Sequence, residues 1–143
     1  MAPWAFAAVA ASLCFAAHYV MLRAASGRIG DALGGFALEA AAAVGLLVLV
    51  AIGPRNEVPT TTAGVVWSIL SGFMITGGVT LLFLAFRLGG PVAGTGTIAL
   101  GGGVVLAALF APVLFGESFT ARRAIGVALG LAATIILATE RPQ

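Results

Sequence analysis

The sequence predicts an all-α membrane protein of five transmembrane helices, and three observations carry that prediction. The 143 residues are 61% hydrophobic and 8% charged, with a mean hydropathy of +1.14. Soluble domains carry about 25% charged residues, so these few charges do not cover the surface of a water-soluble globule. Five long apolar runs recur along the chain, each close to the roughly 20 residues that a helix needs to cross the hydrocarbon core. The breaks between them are short and rich in turn residues, which makes successive helices antiparallel neighbours and leaves no room for a soluble domain. The expectation is one transmembrane domain over residues 1–143.

The first run, 3–22, has no positive residue before it, and Arg23 and Arg28 follow it. That is the reverse of a secretory signal, so the run reads as a permanent helix. "SGRIGD" leads into the second run, 32–53, and "GPRNEVPTT" into the third, 62–86. "RLGGP" precedes the fourth, 91–115, and "GESFT" the fifth, 120–139. Ser118 or Thr120 suits the N-cap of the fifth helix, with Glu117 at its positive end. That helix spans best when Arg122 and Arg123 snorkel to the headgroups. Trp4 and Trp67, near the starts of their runs, read as interface-belt residues.

The net charge is +2 and every cation is an arginine. The arginines lie singly or in one pair, so no basic tract points to nucleic acid. Arg55, Arg122 and Arg123 fall on the side of the N-terminus, and Arg23, Arg28, Arg87 and Arg141 on the other. Loop arginines set membrane orientation, and here they nearly balance. Either copies insert both ways and pair as an inverted repeat, an antiparallel homodimer of ten helices, or an unseen partner or one arginine fixes the topology. The chain has one cysteine and one histidine, too few for an internal disulfide or a metal cluster. With no Gly-x-Ser-x-Gly and no P-loop lysine, catalysis, a metal and a cofactor are not expected.

Chemistry concentrates on Glu39, alone in the apolar stretch "GGFALEAAAAVGLLVLVAIG". It lies seven residues into the second run, roughly 10 Å from its start. A charged side chain at the bilayer centre costs about 2.5–3.5 kcal/mol on insertion scales, so this carboxyl is protonated, paired or in contact with water. At helical spacing its neighbours are Gly35, Ala42, Ala43 and Leu46, a small face suited to close packing. Its role is either a proton and substrate site or a protonated group joining two helices. His18, at similar depth in the first run, is the candidate partner; the alternative is an imidazole donating to a backbone carbonyl. Cys14, one turn from His18, lines the same space or is a small buried hydrophobe. Tyr19 offers a ring or hydroxyl to a cationic ligand, or anchors the interface. Ser68, Ser71, Thr76 and Thr80 give the third run a weakly polar face, and such hydroxyls also bond back to their own helix.

Gly126 and Gly130 have the small-xxx-small spacing of a helix–helix seam, within the chain or between protomers. Gly101, Gly102 and Gly103 weaken the fourth helix, since each glycine costs about 1 kcal/mol against alanine. They serve either a bend or close packing.

The first run ending "YVMLRAAS", the stretch "LLFLAFRLGGPVAG" and the closing "VLFGESFTARRAIGVALGLAATIILA" together resemble an EamA-type unit of the drug/metabolite transporter superfamily. The resemblance is strongest from Leu81 to Ala138 and implies a short five-helix member that works as a dimer, distantly related to the small multidrug resistance exporters. Those exporters carry an essential glutamate in their first helix, where this chain has none. Where the family often places an arginine early in its second helix, this chain has Glu39. The resemblance implies a multi-pass protein of the cell (inner) membrane, surrounded by lipid. It implies a secondary transporter of a small metabolite or organic cation; proton exchange at Glu39 is read from that intramembrane carboxyl itself and is not carried over from the exporters. Movement of a lipid-linked sugar is the alternative, and a non-transporting membrane scaffold is an alternative of another class.

Overall fold

A computed structural model describes residues 3–53 and 59–139, which are helical apart from short connections. Among the described residues, five helices are long and apolar enough to cross a membrane: Pro3–Ala25, Asp31–Ile52, Thr62–Arg87, a composite span Val92–Phe115, and Ala121–Ala138. The first outruns the expected end at residue 22, with Arg23 in its last turn where a cation meets the negative helix end. The second starts at Asp31, whose carboxylate suits the positive end; Gly30 offers no side-chain cap there. Thr120 caps the fifth, its hydroxyl accepting from the Arg123 amide at 3.2 Å. Glu117 pairs with the Arg123 side chain.

Two compact units divide the chain, Met1–Ala24 with Ala85–Gln143, and Ala25–Leu84. In the first unit the third helix closes with a double backbone clasp. Gly89 donates to the Phe86 carbonyl and Gly90 to that of Ala85. Gly89 sits at φ 92°, the left-handed conformation that this clasp requires and that glycine adopts without strain. The clasp fixes Phe86, which is fully buried. Its ring meets that of Tyr19 edge-on at 6.4 Å, and its carbonyl accepts from Arg23 Nη1 at 3.3 Å.

The fourth span is not a uniform helix. It begins as α-helix over Val92–Gly96, widens to a π-helical turn over Thr97–Gly101, and resumes as α-helix over Gly102–Phe115. Its first part lies against Tyr19, where a Cβ on Gly96 would stand 3.4 Å from the tyrosine ring. Its last part lies against the fifth helix, where a Cβ on Gly130 would stand 2.7 Å from Val105 Cγ2.

In the second unit the paired glycines Gly34 and Gly35 let the second and third helices approach. A Cβ on Gly34 would lie 2.7 Å from Phe83 Cζ, and one on Gly35 would lie 3.5 Å from Thr80 Oγ1. Ser26 is buried and donates to the Phe83 carbonyl at 3.1 Å, tying the start of this unit to the end of the third helix. Most large apolar side chains, including Leu47, Val50 and Val113, are exposed. That is the surface of a chain whose solvent is lipid rather than water.

Candidate functional site

Glu39 lies in the second unit, half-buried on the second helix one turn past Gly35. Its Oε1 is buried and has no hydrogen-bond partner among the described residues. The close approach at Gly34 and Gly35 sets the register of its surroundings. Phe83 stands opposite Gly34, with Val79 and Thr80 opposite Gly35. Glu39 lies one turn beyond Gly35 on the second helix, and Thr76, one turn before Thr80 on the third, is exposed. Thr80 Oγ1 donates to the Thr76 carbonyl at 2.9 Å, and Thr76 Oγ1 to that of Gly72 at 3.0 Å. Both hydroxyl protons are therefore committed, and each oxygen presents its lone pairs as an acceptor.

His18 belongs to the first unit, half-buried, its ring edge-on to Tyr19 at 5.5 Å. His18, Tyr19 and Phe86 thus form a chain of edge-to-face aromatic contacts. Tyr19 is buried in that cluster rather than set out as a free interface anchor. Cys14 is exposed along the first helix rather than buried as a small hydrophobe. Trp4 and Trp67 are exposed near the starts of their helices.

The glycines divide sharply. Within this chain Gly130 packs against Val105, while the space beside Gly126 is open among the described residues. Gly101 closes the π-helical turn, near Thr97 and Thr134, while Gly102 and Gly103 have no side chain close to where a Cβ would stand. Among the described residues the pair at Gly102 and Gly103 is not closely packed.

A groove of about 480 Å³ opens between the first helix and the start of the fourth span. Ser12, Phe15, Ala16, Tyr19 and Val20 form one wall, one face of the helix at spacings of three and four. The other wall recurs every four residues, as Val92 and Ala93, Gly96 and Thr97, then Leu100 and Gly101. Positions four apart drift by about 40° per step on a helix of 3.6 residues per turn. The wide turn takes up this drift and holds Leu100 and Gly101 in the wall. Sequence reasoning missed the groove, since neither wall carries a charged or metal-ligating residue to mark it.

Comparison of the chain with protein-family models, with curated proteins and with solved structures finds no match.

Proposed function

We propose that the protein is a secondary transporter that exchanges protons for a small metabolite or organic cation, with Glu39 as the shared site. The observation that carries this reading is the buried Oε1 of Glu39, without a hydrogen-bond partner among the described residues. A polar atom left so within an apolar span is costly unless a proton, a cation or a ligand donor satisfies it. Occupancy of Glu39 by proton or substrate, but not both, couples the two flows.

The resemblance to EamA-type units agrees with this activity and with residence in the cell's inner membrane. The near balance of loop arginines supports two copies inserted in opposite orientations, an inverted repeat of ten helices.

The test is proton release from detergent-solubilised protein on addition of tetraphenylphosphonium and a panel of small cationic metabolites. The wild type is expected to release protons and Glu39→Gln to release none. Equal binding of a cation by both proteins, with no proton moved by either, ends the exchange reading and leaves Glu39 as a packing carboxyl.

A further inference from the structure

The groove on the first helix does not include Glu39, shares only Tyr19 with the candidate exchange residues, and has the chemistry of a slot for a hydrocarbon chain. Phe15, Ala16 and Val20 on one wall face Val92, Ala93 and Leu100 on the other, and no lining side chain is charged. Both walls belong to helices apolar enough to cross a membrane, so hydrocarbon fills the open side. The first wall extends from Ser12 to Val20, about 12 Å along the axis at 1.5 Å per residue. One leaflet of the hydrocarbon core is about 15 Å deep, half of the ~30 Å total. Val20 and Val92 mark the end of the groove nearest the connecting loops, while Ser12 and Gly101 mark its end within the spans. The groove therefore follows the path of a lipid tail descending from the headgroups towards the midplane.

A cation stands at the loop end. Arg23 lies one turn beyond Tyr19 and Val20 on the same helix. Its bond to the Phe86 carbonyl, and the contact of the Phe86 ring with Tyr19, hold the guanidinium at the tyrosine end of the groove. That carbonyl is neutral, so the bond positions the arginine without cancelling its charge. A guanidinium so placed suits a phosphate. We infer that the groove holds one acyl chain of an anionic bilayer phospholipid, with its phosphate at Arg23. This inference does not depend on proton exchange at Glu39.

The test is native mass spectrometry of the full chain, delipidated in detergent and then offered phosphatidylglycerol, phosphatidylcholine or a polyprenyl phosphate. Ala16→Phe and Ala93→Phe fill the groove from opposite walls, and Ala7→Phe adds the same ring to the first helix outside it. The wild type and Ala7→Phe are expected to retain phosphatidylglycerol in preference to phosphatidylcholine. Each filling variant is expected to lose about tenfold or more of that retention, because several methylene contacts are displaced. Arg23→Gln is expected to hold the two lipids equally. Filling variants that elute as the wild type and retain phosphatidylglycerol fully overturn the inference. So does a wild type that prefers a polyprenyl phosphate, which would make the groove a path for a transported lipid. An undiminished phosphatidylglycerol preference in Arg23→Gln overturns the placement of the headgroup.

Discussion

Gly34 and Gly35 of the second helix and Gly102 and Gly103 of the fourth span are paired glycines in opposite circumstances. In the first pair Gly34 lies too close to the Phe83 ring for a Cβ, and Gly35 stands at contact distance from Thr80 and Val79. The second pair faces open space. The contrast repeats on the fifth helix, where Gly130 is tight against Val105 and Gly126 is open. A small residue in a membrane helix is thus permission for close approach, and the approach occurs only where a bulky partner stands opposite.

Alanine scanning separates the two kinds of site by sign. The largest effect is expected at Gly34, where the added methyl runs into the Phe83 ring and Ile29. Gly34→Ala should lower stability by about 1–3 kcal/mol, the usual cost of overpacking, read as a fall in thermal midpoint in detergent. Phe83→Leu in the same chain should recover part of that loss, and no recovery would mean that the ring is not the obstacle. Next come the two glycines of the fifth helix. Gly130→Ala should destabilise by about 1 kcal/mol as Val105 is displaced, whereas Gly126→Ala should be neutral or slightly stabilising. Equal destabilisation at both would show that something outside this chain also packs on Gly126. Smallest is Gly102→Ala, expected to raise stability by about 0.5–1 kcal/mol through helix propensity alone. A fall instead would place a second copy of the chain against the open glycines.

The same contrast explains what could be read from the sequence. The five helices were legible because hydropathy is local, and each run announces itself without reference to the others. Glu39 was legible for the same reason, as one carboxylate against an apolar background. Of the two caps expected for the fifth helix, Thr120 is the one the structure uses, and local sequence did not choose between them. Burial was not legible. Tyr19 is covered because the clasp after the third helix presents Phe86 to it, a contact with a residue far along the chain. Cys14, one turn before His18, finds no such cover. The groove was hidden for a related reason, because its two walls come from distant segments and each alone is an ordinary apolar face.

The π-helical turn at Thr97–Gly101 also acts on the phase of the fourth span. One extra residue in a turn offsets all that follows by about 100° about the helix axis. Gly96, before the turn, meets Tyr19, and Val105, after it, meets Gly130. These are two neighbours served by one rod, which an unbroken α-helix would address with its later part turned away. Removing one residue at Ile98 or Ala99 would restore regular winding. Both contacts would then keep their phase, whereas regular winding of the full set of residues would turn Val105 about 100° away from Gly130. In this span the count of residues between two contacts carries as much information as their identity.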